Sequence, residues 1–202
     1  MTRGSVAGVL LAAGAGRRMG GPKALLPWGD GLLVEHGLGL LADGGCSPLL
    51  VVLGAAAAEV QRRTDLRGAT VVLSRQWARG LGVSLRAGLR AAEGTDAGAV
   101  IVALADQPLV GPTAVQLLRA AWVDGATAAV ATYDGHQRNP VLLDRSHWAR
   151  VGRLASGDTG ARAWLATHPG LITRVDCTGT GSPADLDTPA DLERAVAWSP
   201  AP

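Results

Sequence analysis

The chain has no phenylalanine, one tyrosine and two cysteines among its 202 residues. Without phenylalanine to fill space, the interior must come from Ala, Gly, Val and Leu, which reach interior density only where elements lie close together. Cys46 and Cys177 stand far apart with no metal-ligand spacing, so reduced, partly buried thiols are expected rather than a disulfide scaffold or a zinc cluster. A surplus of one charge is missing too. Lys and Arg number 19, Asp and Glu 17, a formal net charge of +2, which gives no argument for a nucleic-acid partner or a membrane surface. The longest apolar runs, near 48–58 and 97–105, fall well short of the about 20 residues that span a bilayer. Met1-Thr2-Arg3 and the apolar residues 6–13 imitate a secretory signal, but the run meets Gly14-Ala15-Gly16-Arg17-Arg18 at once, where a signal has a small-residue cleavage site. A cytoplasmic protein is expected.

What is present is alternation. Apolar runs at 6–13, 48–54 and 98–105 suit strands buried on both faces of a parallel sheet. Strand-like runs also occur at 69–73, 126–132, 139–143 and 171–176. Helical spacing marks 31–43, 56–63, 83–93 and 112–123, with shorter helices at 145–154, 159–167 and 188–197. This order predicts one α/β domain over residues 1–202, a three-layer sandwich around a mostly parallel, Rossmann-like sheet. The stretch 133–185 is less regular and reads as a lid or acceptor-side part. Ligands of such sheets sit beyond the carboxyl ends of the strands, so the residues just after 13, 54, 73 and 105 are the ones to question.

After the first run come Leu11-Ala12-Ala13-Gly14-Ala15-Gly16-Arg17-Arg18-Met19-Gly20-Gly21-Pro22-Lys23. Glycines let backbone N–H groups approach a phosphate, and the arginines and lysine add charge. A dinucleotide fingerprint needs glycine where Met19 stands. A Walker loop needs Gly-Lys-Ser/Thr, but Pro22 separates Gly21 from Lys23 and Ala24 follows. The plain alternative, a surface turn with solvated charges, does not account for cations clustered at the end of a buried first strand.

From Leu11 to Pro27 the pattern resembles the signature loop of the MobA-like NTP transferases, and within them most nearly the molybdenum-cofactor cytidylyltransferases. The resemblance, which covers about residues 6 to 195, implies a fold of the nucleotide-diphospho-sugar transferase type. It also implies a loop of Leu11, Ala12, Ala13, Gly14 and Gly16 around the triphosphate, with Arg18 and Lys23 as catalytic cations and Arg17 auxiliary. Trp77-Ala78-Arg79-Gly80-Leu81-Gly82-Val83-Ser84 is similar to the family segment that holds base and ribose, with Ser84 at a helix start. From local sequence alone Ser84 reads equally well as a plain helix-start residue. A nucleophile elbow is excluded, because Gly82-Val83-Ser84-Leu85-Arg86 lacks its second glycine.

Asp106 follows the most apolar strand, where an ionised carboxylate is costly unless it meets a cation. It suits Mg²⁺, which uses one or two protein carboxylates plus substrate phosphates; an Asx-type turn before Pro108 is the alternative. In the second acidic cluster, Asp185-Leu186-Asp187-Thr188-Pro189-Ala190-Asp191, capping by Thr188 or Asp187 explains every residue. The resemblance makes Asp187 a second metal ligand and Asp185 its fallback, and both readings stay open. Asn139, in Arg138-Asn139-Pro140, and Asp158 with Arg162, in Gly157-Asp158-Thr159-Gly160-Ala161-Arg162, match family segments on the acceptor side. His36, His136, His147 and His168 share no metal spacing and are taken as structural or solvated.

The chemistry implied is attack by an acceptor phosphate on the α-phosphorus of an NTP. The resemblance makes the donor CTP, the acceptor molybdopterin cofactor and the protein partner a molybdenum hydroxylase or its maturation partner. Ala13, where guanylyltransferases usually carry glycine, leans toward CTP. Competing readings are the same chemistry with GTP or another phosphorylated acceptor, an oxidoreductase of the nicotine-blue type, and a non-catalytic carrier of molybdenum cofactor.

Overall fold

A computed structural model describes residues 4–198; Met1–Arg3 of the signal-like start lie outside the described residues. The elements are β1 (Val6–Ala12), β2 (Pro27–Trp28), β3 (Gly31–Leu32), α1 (Leu33–Asp43), β4 (Leu49–Leu53), α2 (Ala57–Arg63), β5 (Thr70–Leu73) and α3 (Leu81–Glu93). There follow β6 (Ala99–Leu104), α4 (Pro112–Val123), β7 (Ala128–Tyr133), β8 (His136–Asp144), α5 (Trp148–Leu154), α6 (Arg162–Thr167), β9 (Ile172–Asp176) and α7 (Pro189–Ala197). Apart from the small β2–β3 hairpin, the strands form one seven-stranded sheet in the order β5-β4-β1-β6-β8-β7-β9. Only β8 runs against the rest, antiparallel to both β6 and β7. The mostly parallel α/β sheet expected from the sequence is present.

The antiparallel strand has a local cause. Tyr133 pairs with His136, so β7 and β8 are joined by a two-residue turn, Asp134-Gly135, with φ of 50° and 77°. Asp-Gly with both φ positive is the turn that matches the twist of a hairpin, and it forces neighbouring antiparallel strands. The irregular stretch 133–185 thus contributes β8 and β9 to the sheet itself.

Alternate residues of the buried strands face opposite sides. Leu10, Val51 and Ile101 pack with Val34, Leu38 and Leu41 of α1, Val60 of α2 and Val115 and Leu118 of α4. Val9, Val52, Val100 and Val102 pack with Leu85 and Leu89 of α3, Trp148 and Val151 of α5, and Trp164 and Leu165 of α6. Each fully buried Leu or Val contributes about 1.5–3 kcal/mol. The missing phenylalanines are offset by close approach. A Cβ at Gly37 of α1 would stand 2.7 Å from Leu10, and one at Gly88 of α3 2.7 Å from Val9, so both helices lie tight on β1. Cys46 and Cys177 are free and buried, and desolvation pushes their thiols up to about 12 and about 11. Among the described residues no helix is long and apolar enough to cross a membrane.

Candidate active site

Because β1 and β6 pair in parallel, with Leu11 opposite Leu104, the loops that leave them open side by side. The cleft between them has a volume of about 650 Å³. Leu11, Ala12, Ala13, Gly14, Gly16, Arg18 and Lys23 of the first loop all line it, with Ser84, Asp106, Asp158, Arg162 and Asp187. Of the candidate nucleotide, metal and acceptor residues named from the sequence, Asn139 alone is absent from its wall. It lies in β8 just beyond the pairing of Val141 with Val102, next to the cis peptide at Pro140.

The two glycines of the first loop differ in kind. Gly16 has φ +57°, and its carbonyl accepts from the N–H of Met19 at 2.8 Å and of Gly21 at 3.3 Å. A Cβ there would meet the Gly21 carbonyl oxygen at 2.0 Å, so the turn admits glycine only. Around Gly14 a Cβ would touch nothing within 4 Å, and the fold makes no demand for glycine. Space kept clear of side chain at the mouth of the cleft, on the loop that carries Arg17, Arg18 and Lys23, suits the close approach of a phosphate. The backbone leading into them is fixed: Ala105 N–H donates to the Leu11 carbonyl at 3.1 Å and Ala55 N–H to that of Ala13 at 3.0 Å.

Lys23 joins the two acids that the sequence offered as metal ligands. Its Nζ donates to Asp106 Oδ2 at 2.8 Å and to Asp187 Oδ1 at 2.6 Å. Burial works against the lysine charge, but the carboxylate of Asp106, then that of Asp187, outweighs it and raises the ammonium above its usual pKa. The cation that Asp106 needs at the end of its apolar strand is thus supplied by the chain itself. The Asx-turn alternative receives no support, since the Asp106 carboxylate is engaged by Lys23. Arg18 approaches Asp187 Oδ2 only to 3.9 Å, with its side chain 75% exposed.

The cap question at α7 is answered by geometry. Thr188 is the N-cap, its Oγ1 accepting from Asp191 N–H at 3.3 Å while Asp191 Oδ2 accepts from Thr188 N–H at 2.7 Å. The Asp187 side chain takes no part in the cap and points to Lys23. Leu186 N–H donates to the Asp106 carbonyl at 2.8 Å, which ties the two acidic loops together. Asp185 stands beside them. It is exposed as a residue, yet its Oδ1 accepts at 2.9 Å from Gln107, itself 4% exposed. Desolvation, then the like charge of Asp106, raises its pKa.

Two carboxylates therefore meet at one bridging ammonium and a third, Asp185, stands beside them, a gathering of carboxylates suited to a hard cation. Among the described residues no group of three or more His, Cys, Asp or Glu is arranged to hold a metal on protein ligands alone. The convergence of Asp106 and Asp187 on one point is compatible with Mg²⁺, which is held by one or two carboxylates and completes its shell with waters and phosphate oxygens.

The far side of the cleft is built differently. Ser84, 2% exposed, donates to Ser74 Oγ at 3.2 Å in the first turns of α3. Asp158 Oδ1 accepts a long 3.4 Å bond from Leu81 N–H, capping α3 from a loop 77 residues away. Arg162 starts α6 and is exposed. The sequence assigns Gln107 no role, and Trp77 only a place in the segment expected to hold base and ribose. Gln107 holds both Asp185 and, at 3.1 Å, the Pro183 carbonyl; its one signal in the sequence is an amide directly after Asp106 at the end of an apolar run. Trp77 lines the cleft and packs on Gly54, where a Cβ would come within 2.5 Å of it. None of the four histidines lines the cleft.

Comparison with known proteins agrees with this geometry. Residues 8–172 match the family described as the MobA-like NTP transferase domain. A protein named nicotine blue oxidoreductase from Paenarthrobacter nicotinovorans is 37% identical, with 95% of this chain and 96% of that one covered. A probable molybdenum cofactor guanylyltransferase from Mycolicibacterium paratuberculosis is 34% identical, with 95% of each covered. Two crystal structures of Rv0371c from Mycobacterium tuberculosis superpose with TM-scores of 0.84 and 0.77, at 30% and 29% identity. They cover 98% and 96% of this chain and 100% and 99% of theirs, and the second is a complex with manganese. With the match running over most of its length, the chain belongs to the MobA-like NTP transferase family.

Proposed function

We propose that the protein transfers a nucleoside monophosphate from an NTP to molybdopterin cofactor, with release of pyrophosphate and dependence on Mg²⁺. The observation that carries this reading is the Lys23 bridge between Asp106 and Asp187, set beside a glycine loop at the carboxyl ends of two parallel strands. The guanylyltransferase name of one relative and the manganese complex of another support acceptor and metal. In the transfer an acceptor phosphate oxygen bonds to the α-phosphorus, the bond from that phosphorus to the bridging oxygen breaks, and its electron pair leaves on pyrophosphate. A phosphate monoester is already largely ionised at pH 7, so no general base is required. Asp106 and Asp187 are the residues to hold a divalent cation, which when bound neutralises phosphate charge. Arg18 and Lys23 take up charge on the leaving group, and N–H groups near Gly14 cradle the phosphates. Asp158 and Arg162 face the acceptor.

CTP is the donor we favour, from Ala13. GTP is the donor implied by the guanylyltransferase relative's name. Pyrophosphate release from each of the four NTPs, with and without molybdenum cofactor, tests both points. Release with CTP that requires the cofactor is the expected result, and release with none of the four rejects the reading. A second reading, reduction of a pigment, is favoured only by the name of the 37% identical relative. The first loop lacks a dinucleotide fingerprint at Met19, and NADH binding separates the two.

A further inference from the structure

One ammonium group occupies the point on which both candidate metal ligands converge. Lys23 Nζ stands 2.8 Å from Asp106 Oδ2 and 2.6 Å from Asp187 Oδ1. It is well sheltered, with 17% of its side chain exposed against 27% for Asp106 and 47% for Asp187. The two acids come from the ends of different elements, the loop after β6 and the loop before α7. The backbone bond from Leu186 to Asp106 sets the spacing of these loops, and the lysine sets the direction of the carboxylates. A Mg²⁺ ion binds oxygens at about 2.0–2.1 Å, so an ion held by both oxygens needs the space the ammonium fills. Two cations cannot share it.

We propose that Lys23 is a place-holder: it keeps Asp106 and Asp187 converged in the nucleotide-free protein, and a divalent cation reaches both carboxylates only when nucleotide phosphates draw the ammonium away. This deepens the proposed function and rests on its assignment of the cleft to a metal and an NTP. It gives Lys23 two successive partners, the carboxylates first and the phosphates second. It also makes metal and nucleotide arrive together, which keeps the site from filling with a divalent ion that has no substrate to act on. Arg18 is the internal contrast, for it carries the same charge near Asp187 but lies 3.9 Å away and does not touch Asp106.

The test is Mn²⁺ binding to the nucleotide-free protein, read by electron paramagnetic resonance of the free ion and needing no turnover. Lys23→Met is expected to bind Mn²⁺ about tenfold or more tighter than wild type, the scale of one charge-assisted contact removed from competition. Arg18→Ala is expected to stay within about twofold of wild type. Equal affinity in Lys23→Met and wild type overturns the proposal. So does an equal gain in both variants, which makes the effect one of bulk charge. Should Lys23→Met not fold, Lys23→Gln serves, and wild type gives a separate reading by thermal melt. Mn²⁺ alone is expected to raise its melting temperature little, and Mn²⁺ with a non-reacting α,β-methylene nucleotide more than that nucleotide alone. A full shift from Mn²⁺ alone overturns the place-holder. If no nucleotide binds, the proposed function fails, while the comparison of Lys23 with Arg18 still decides this one.

Discussion

The two sides of the cleft are held by different means. On the donor side the charged groups grip one another: Lys23 joins Asp106 to Asp187, and Gln107 holds Asp185 beside them. On the opposite side the polar groups serve the scaffold or stand in solvent. Asp158 caps α3 through a long bond, Ser84 is taken up by Ser74, Arg162 is exposed, and Asn139 is absent from the cleft wall. On the first side the two carboxylates are already converged before substrate arrives, so only the Lys23 ammonium has to change partner. The other side has freedom to adapt to a large acceptor. Reactivity should therefore be concentrated on the first side and acceptor affinity on the second.

The sharpest way to break this contrast is Asp106→Asn. The variant keeps the shape but loses the charge that holds Lys23 and that the proposed function assigns to a metal. NTP-dependent pyrophosphate release should fall at least about a hundredfold, the scale of one strong pre-organised electrostatic contact. The sequence alone suggests an uncompensated carboxylate whose removal costs no stability. The Lys23 bridge reverses that expectation: in EDTA the variant should lose about 1–2 kcal/mol, seen as a lower melting temperature. Near-normal release by the variant would show that the donor side is not where the chemistry lies.

Next comes the pair Gly16→Ala and Gly14→Ala. A Cβ at position 16 collides with the Gly21 carbonyl and sits at positive φ, so the loop must be rebuilt and turnover should drop more than tenfold. At position 14 there is room, so the melting temperature should hold while the apparent affinity for NTP weakens severalfold. If Gly14→Ala leaves NTP affinity unchanged in a nucleotide titration, phosphate does not pass over that residue.

Arg162→Ala probes the acceptor side. The side chain is exposed and starts a short helix, so its loss should leave the melt alone and raise the KM for acceptor about tenfold. A rise in the KM for NTP instead would merge the two sides into one.

What could be read from the sequence follows the same division. A loop that leaves a buried parallel strand has its position dictated by the strand, so Gly16, Lys23 and Asp106 were legible as neighbours of one site. The alternating pattern likewise fixed a mostly parallel sheet. The direction of β8 is not legible because its strand-like pattern starts only at Asn139, past the two-residue turn at Asp134-Gly135 that sets it. The Lys23 bridge was illegible for another reason. It joins residues 83 and 164 positions apart, and no local pattern reports whether a lysine faces a phosphate or two carboxylates. Asp158 as a remote cap of α3 was hidden in the same way.

The smallest effect separates cap from ligand at α7. Thr188 carries the cap, so Thr188→Ala should cost about 1 kcal/mol while the Mn²⁺ concentration for half-maximal turnover stays put. Asp187→Ala should do the reverse, raising that concentration with little change in a metal-free melt. The cap also has a pH signature. Hydrogen bonds from the Thr188 side chain, then from its N–H, hold the Asp191 carboxyl below the usual carboxylate range. A carboxyl depressed in the folded state adds stability that is complete above its unfolded pKa of about 3.9, and this is lost as pH falls through the folded value. The gap in melting temperature between wild type and Thr188→Ala should therefore be full at neutral pH and narrow in acid, below about pH 4. Paired melts across that range measure it. A gap that stays constant would mean that the Thr188 hydroxyl stabilises α7 without Asp191. A shifted Mn²⁺ requirement in Thr188→Ala would mean that cap and metal site are one structure, because loosening the first turn of α7 would then also release Asp187 from its place beside Asp106.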